Sequence, residues 1–317
     1  MTVAFVFSGG TNLGAVQVGM ALALADHEVT PDLIVGTSVG AVNGAWLASG
    51  RAPDGLATLW RAIRRRDVFP LRPMTGLAGF AGRRRHFVPD SGLRRLLREH
   101  LTFDRIENAP IPLAVVATDA ATGAQVVLDH GPLVRAVLAS AALPAVFPPV
   151  RIDGRLLIDG GIANNTPITL AIEAGATEVW VLTTGYACSL SEPPTGAIAL
   201  GLHAVSLLVQ QRLSLELATR TYPVPVHVIP PPCPITAAPT DFTQTSELID
   251  RARSLTRQWI TNGCPDVTTA TPHTHVHRAP STPGPKFGRQ LLHHRVPDPT
   301  TAATASPIDR TKEPDQP

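Results

Sequence analysis

Charge is scarce in this 317-residue chain: 16% of its residues are Asp, Glu, Lys or Arg, and all but two of the 27 bases are arginine. With 44% hydrophobic residues, that composition excludes collagen-like, coiled-coil and wholly disordered chains and supplies a large core. Aromatic residues are 5% of the chain, and no interleaved aromatic-basic platform or reader motif for nucleic acid is present. Cysteines are three, Cys188, Cys233 and Cys264, an odd number without disulfide or metal spacing. This argues against a disulfide framework and favours a reducing compartment. The start, Met1-Thr2-Val3-Ala4-Phe5-Val6-Phe7, has no basic segment and reads as a strand, not a signal peptide. The longest apolar stretch elsewhere, residues 196–209, is interrupted by Gly201 and His203 and falls short of the ~20 residues a membrane span needs. The expectation is a cytoplasmic protein, with any membrane contact peripheral.

What charge there is lies unevenly. Residues 51–100 hold twelve arginines against four acids, net +8, while the 53 residues from Pro265 to the end carry net +1 and the remainder net −7. A basic segment in an acidic body suggests a surface that meets anions. Its triplets Arg64-Arg65-Arg66 and Arg83-Arg84-Arg85 flank a Gly/Pro-containing stretch, and the segment reads as an insertion or lid over the sheet edge. Leu71, Met74, Leu77 and Phe80 would be its lipid-contacting side or plain core. Beyond Gly263, apolar periodicity vanishes and ten of the 53 residues from Pro265 are proline, so 263–317 reads as a disordered tail. Its histidines (His273, His275, His277, His293 and His294) lack accompanying carboxylate or thiolate ligands, so no metal site is expected. Residues 1–262 then form the folded domain.

Within that domain short continuous apolar runs alternate with helical patterns. Strands are expected at 2–7, 32–35, 112–118, 125–128, 156–158, 178–183 and 226–229, and helices at 15–26, 41–48, 55–64, 93–100, within 189–221 and at 246–261. Buried strands separated by helices imply a mainly parallel sheet covered on both faces, an α/β/α sandwich.

Three turns carry candidate chemistry. Gly36-Thr37-Ser38-Val39-Gly40 follows a strand and opens an Ala/Gly-rich helix, the setting of a G-x-S-x-G nucleophile elbow, which exposes a serine at the carboxyl edge of a sheet. Taken alone it reads equally as a Gly-rich turn with a serine cap. Gly9-Gly10-Thr11-Asn12-Leu13-Gly14 lies at the end of another strand, where backbone N–H groups can stabilise an oxyanion. Its spacing is wrong for a dinucleotide fingerprint, and the next strand ends in Gly36 without an acidic ribose ligand, so no cofactor is expected. Asp159-Gly160-Gly161 ends a third apolar run, and a partly buried carboxylate there suits a base, although Asp-Gly is also a common hairpin turn. Asn164 and Asn165 are candidates to hold that loop, and Pro167 to open the next helix.

These pieces in this order resemble the patatin-like phospholipase family. The resemblance extends to Val116–Gly123 and to the Ala139-Ser140…Pro144…Phe147-Pro148-Pro149 stretch, covers residues 1 to about 185 and weakens to about 262. It implies an α/β/α hydrolase acting on lipid carboxylesters (phospholipase A or lysophospholipase type) through an acyl-enzyme, without metal or histidine. Ser38 would be nucleophile, Asp159 base, and Gly9, Gly10, Thr11 and Val39 the oxyanion hole, with Gly14, Gly36, Gly40, Gly160 and Gly161 shaping the turns. The Arg triplets would meet an anionic membrane surface. Thr11 and Leu13 depart from the family's third glycine and basic residue, which leaves open a weakened pseudoenzyme that binds lipid or protein. A conventional α/β-hydrolase would instead need His203 or His227.

Overall fold

Short continuous runs rich in Val, Ile, Leu and Phe, too short and too branched for helix, build one eight-stranded sheet. The computed structural model describes residues 1–70, 86–186, 194, 196–238 and 240–264, with residues 197 and 198 by backbone alone. These residues belong to one compact unit, Met1–His275. The strands are β1 (Val3–Phe7), β2 (Leu33–Thr37), β3 (Leu113–Asp119), β4 (Gln125–Leu128), β5 (Val150–Ile152), β6 (Arg155–Asp159), β7 (Glu178–Leu182) and β8 (Val226–Ile229), in the order β5-β6-β3-β2-β1-β7-β8 with β4 also on β3. The run β3-β2-β1-β7-β8 is parallel; β4, β5 and β6 pair antiparallel.

The pairing around β3 determines where the site forms. Val115 and Val116 pair with both β2 and β4, and Ala117 and Thr118 with both β4 and β6. A strand has two edges, so β4 takes one and β2 and β6 share the other, end to end. β2 stops at Thr37 opposite Val116, and β6 stops at Asp159 opposite the next residue, Ala117. The hairpin turn feeding β6 is Asp153-Gly154, with φ of 46° and 76°, the geometry of a two-residue I′ loop. Asp159 itself ends the strand, so the alternative that placed it in an Asp-Gly hairpin turn is not what forms.

Alternate residues of β1 enter two cores: Phe5 and Phe7 face one, Ala4 and Val6 the other. The first face is covered by α1 (Gly14–Asp26), α2 (Val39–Ala48), α3 (Pro53–Ala62), α5 (Ser91–His100), α6 (Leu133–Ser140) and α10 (Thr245–Thr261), with the short α4 (Arg65–Val68) between α3 and α5. The second is covered by α8 (Ile168–Glu173) and α9 (Ala197–Thr219), with α7 (Gly161–Asn164) at the sheet edge. Helices thus cover both faces of a sheet that is parallel through its centre, as expected. The antiparallel hairpin at one end is the feature that apolar runs alone did not reveal, because a run does not report direction.

Two helices of the 51–100 segment belong to the core. Leu56, Ala57 and Trp60 of α3 and Leu93 and Leu97 of α5 are buried in the main core, as their helical spacing on one face requires. Leu71, Met74, Leu77, Phe80, Arg83, Arg84 and Arg85 lie outside the described residues, as does the tail from residue 265. No helix among the described residues is long and apolar enough to cross a membrane.

α1 is apolar on every side and packs most closely on α10 at Gly19, where an added Cβ would lie 2.3 Å from the Ile249 carbonyl oxygen. Gly19→Ala gains about 1 kcal/mol of helix propensity, but overpacking against backbone costs about 1–3 kcal/mol. The variant is expected to unfold at lower urea concentration than wild type; a raised midpoint would show that the two helices part freely.

Candidate active site

The turn after β2 holds Ser38 at φ 56° and ψ −122°, a conformation that costs a non-glycine residue about 1–3 kcal/mol and persists only when its surroundings fix it. Here they do. The Ser38 N–H donates to Ser140 Oγ at 2.7 Å, and Ser140 Oγ donates to the Val116 carbonyl at 2.5 Å. The Ser38 carbonyl accepts from Ala41 and Val42 at the start of α2. Close packing explains the flanking glycines: a Cβ on Gly40 would lie 2.4 Å from the Phe7 carbonyl oxygen, and one on Gly36 2.6 Å from the Gly40 carbonyl oxygen. The same holds for Gly160, whose Cβ would meet the Val116 carbonyl at 2.1 Å.

The abutting ends of β2 and β6 bring the dyad together. Ser38 Oγ donates to Asp159 Oδ2 at 2.6 Å, although 121 residues separate them. Asp159 is 3% exposed and Ser38 5%. The other carboxylate oxygen accepts the Gly161 N–H at 2.8 Å, while Thr118 Oγ1 donates to the Asp159 carbonyl at 2.8 Å. Burial pushes the Asp159 carboxyl up to about 6, against the opposing pull of the Ser38 hydroxyl and the Gly161 amide. A carboxylate tuned this way is ionised near neutrality yet basic enough to take a hydroxyl proton.

The glycine loop beside Ser38 is pinned at several points. Gly9 does not supply a free donor: its N–H is donated at 3.2 Å to the carbonyl of Asn165, at the end of α7. Its carbonyl accepts from Thr184 Oγ1 at 2.8 Å and Asn165 Nδ2 at 3.4 Å. The amides of Gly10, Thr11 and Val39 have no hydrogen-bond acceptor among the described residues, which leaves them available to a bound group. Val39 begins α2, whose dipole adds positive potential there. Thr11 has φ 53°, a left-handed conformation that suits glycine, and Leu13 is buried, so neither puts a charge beside the site. Asn164 holds Gln125 Oε1 at 2.9 Å, and Pro167 immediately precedes α8, as expected.

Two cavities meet at this serine. One, of about 100 Å³, is a narrow apolar pocket walled by Val39, Trp46, Trp60, Leu97 and Phe147. The other, of about 560 Å³, is a groove that exposes Gly10 and Asp159 and is walled by Val209 and Leu213 of α9. Thr11, Ser38 and Leu143 border both. His203 and His227 border neither; His227 pairs with Glu178 at 3.2 Å between β7 and β8. Ser140 and Thr184 fix the backbone on either side of this pair; Ser140 lies in the Ala139-Ser140 stretch of the resemblance without a role assigned to it, and Thr184 in no motif. Their one visible signal was a hydroxyl amid apolar or small residues.

A buried serine–aspartate pair on a strained strand-to-helix turn, beside a glycine loop with open amides, defines the protein as an α/β fold with a nucleophile-elbow site. The model of the patatin-like phospholipase family matches residues 5–172, more than half of the chain, and the chain belongs to that family. It is 32% identical over 197 residues to mouse patatin-like phospholipase domain-containing protein 7, covering 58% of this chain and 14% of that protein. It is 35% identical over 167 residues to an uncharacterized NTE family protein of Mycobacterium tuberculosis, covering 52% of this chain and 44% of that one. The chain thus spans less than half the length of either relative. Among solved structures, VipD from Legionella pneumophila aligns over 82% of this chain and 67% of its own, at 16% identity and a TM-score of 0.43.

The elevated Asp159 pKa makes an activity prediction with a definite sign. The native state keeps its proton to higher pH than an unfolded chain, so this carboxyl stabilises the fold below about pH 4 and that contribution is lost as pH rises through about 6. The ionised base appears over the same window. Hydrolysis rate is therefore expected to rise with pH through an acid limb centred near 6, read from kcat/KM; a limb near the ordinary aspartate value of 3.8 would remove Asp159 as the buried base.

Proposed function

We propose that this protein is a serine acyl hydrolase that cleaves lipid carboxylesters, of phospholipase A or lysophospholipase type, through an acyl-enzyme. The observation that carries this reading is the 2.6 Å hydrogen bond from Ser38 Oγ to the buried Asp159 carboxylate. In the forward step Asp159 takes the Ser38 proton as Oγ bonds to the ester carbonyl carbon. The Gly10, Thr11 and Val39 amides then stabilise the resulting oxyanion, preorganised donors of this kind contributing about 100–1000-fold each. Collapse of the adduct breaks the ester C–O bond and returns the proton from Asp159 to the leaving alcohol. Water, deprotonated by the same carboxylate, then releases the acid and restores Ser38. The mechanism needs no metal or cofactor.

The dry pocket suits an acyl chain, since apolar walls favour hydrocarbon over water. Its volume is below the roughly 150 Å³ that holds one benzene ring, which favours a short acyl group within it. The groove suits the rest of the lipid. Membership of the patatin-like phospholipase family, and the name of the mouse relative, agree with a lipid substrate. Thr11 at positive φ, and the uncharged Leu13, favour a second reading, in which the site binds lipid with little turnover.

Contact with an anionic lipid surface belongs to the same proposal, with its residues revised. Arg64 is already engaged, its Nη1 donating to the carbonyls of Arg61, Ala62 and Ile63 at the end of α3. Arg65 and Arg66 on α4 are exposed, and α9 exposes Leu208 and Leu215 beyond the groove wall.

Two measurements test these statements. A fluorophosphonate probe is expected to label wild type on Ser38, and Ser38→Ala to abolish labelling and ester turnover while leaving the fold intact. Asp159→Asn should lower turnover at least 100-fold. Labelling that persists in Ser38→Ala would overturn the nucleophile, and vesicle binding without labelling in wild type would favour the non-catalytic reading. For the surface, Arg65→Gln with Arg66→Gln should weaken binding to anionic vesicles roughly 10-fold or more at low salt and leave neutral vesicles unaffected.

A further inference from the structure

Two side-chain amides lie in the core behind the glycine loop, on helices that are otherwise apolar: Gln17 on α1 and Asn43 on α2, both 0% exposed. Every polar hydrogen on them is used. Gln17 Nε2 donates to the Ser8 carbonyl at 2.7 Å and to the Leu182 carbonyl at 3.0 Å. Asn43 Nδ2 donates to the Gly14 carbonyl at 3.0 Å and to Gln17 Oε1 at 2.9 Å. Asn43 Oδ1 in turn accepts the Trp60 indole N–H at 2.9 Å. Ser8 and Gly14 are the two ends of the loop that carries the Gly10 and Thr11 amides. Trp60 is a wall of the narrow pocket.

We infer that Trp60, Asn43 and Gln17 form a positioning relay that clamps both ends of the oxyanion loop and ties it to the wall of the acyl pocket. The inference rests on the hydrolase reading for its catalytic consequence, but the clamp itself does not. A buried amide network contributes little net stability over a well-packed apolar core, and its value lies in fixing one geometry. The geometry fixed here is that of the backbone donors, whose misplacement by about 1 Å can cost 100-fold in rate. The relay also gives the pocket a second role. An acyl chain seated against Trp60 packs on the residue that anchors Asn43, so pocket wall and loop keep one relative position.

Asn43→Ala would strand the Trp60 N–H and the Gln17 and Gly14 acceptors together and risks failure to fold, so two milder variants carry the test. Gln17→Met keeps length and removes both donors; Trp60→Phe keeps an aromatic ring on the Phe242 side while removing the indole N–H and some of the ring's bulk. Each is compared with wild type by deuterium uptake and by steady-state hydrolysis of p-nitrophenyl butyrate. The expected result is faster uptake over residues 8–14, with β7 protected as in wild type, and a fall in kcat that reaches ~100-fold in Gln17→Met while KM holds. A general loss of stability would instead raise uptake across the sheet. Folded variants with wild-type uptake in the loop overturn the relay, whatever their activity. A wild type that neither hydrolyses ester nor labels on Ser38, while the variants loosen the loop, would overturn the hydrolase reading and leave the clamp standing.

Discussion

The site depends on two strands meeting end to end along one edge of β3. Where β2 stops, β6 begins its pairing from the opposite direction, and the residues that follow and end those strands are Ser38 and Asp159. No loop has to carry the base across the site. The register of a hydrogen-bonded sheet, which cannot slip by one residue without turning every side chain to the other face, holds the carboxylate on the serine. Ser140 then bridges the same junction, linking the Ser38 amide to the Val116 carbonyl.

This arrangement accepts local costs for geometry. Ser38 sits in a conformation disfavoured for a side-chain-bearing residue, and Asp159 loses the hydration a carboxylate prefers. Both penalties fall on the residues to which the proposed chemistry belongs, and both are offset by neighbours that are ordinary core elements: α2 pressed onto β1 through Gly40, and the paired strands beneath. Stability spent at a site and recovered in the scaffold is the usual relation between the two.

Much of this was legible in the chain. The Gly36–Gly40 elbow and the Asp159-Gly160-Gly161 end were visible because tight turns demand small residues at fixed offsets, and the sheet because apolar runs recur between helices. Three things were not. The antiparallel pairing of β4 and β6 on β3 was not visible, because apolar content carries no strand direction, although Asp153-Gly154 reads as a hairpin turn. The fate of the Gly9 amide depended on Asn165, 156 positions away, and no local pattern reports such a bond. Gln17 and Asn43 belong to no motif, and only the fold shows that their hydrogens are shared among Ser8, Gly14, Leu182 and the Gln17 side-chain oxygen. The basic 51–100 segment misled in the other direction, since its charge drew attention from the Leu56, Trp60 and Leu97 spacing that buries its helices in the core.

The 121-residue separation of the dyad also orders events in time. β1 and β2 with their helices can pair as soon as they are made, since their contacts are local. The base arrives only when the hairpin carrying β6 has docked on β3, and the second wall of the groove later still, with α9. A chain emerging from its N-terminus therefore holds Ser38 without Asp159 until 121 further residues have been made. Under the proposed mechanism, docking of β6 on β3 is then the folding step that gives Ser38 its proton acceptor.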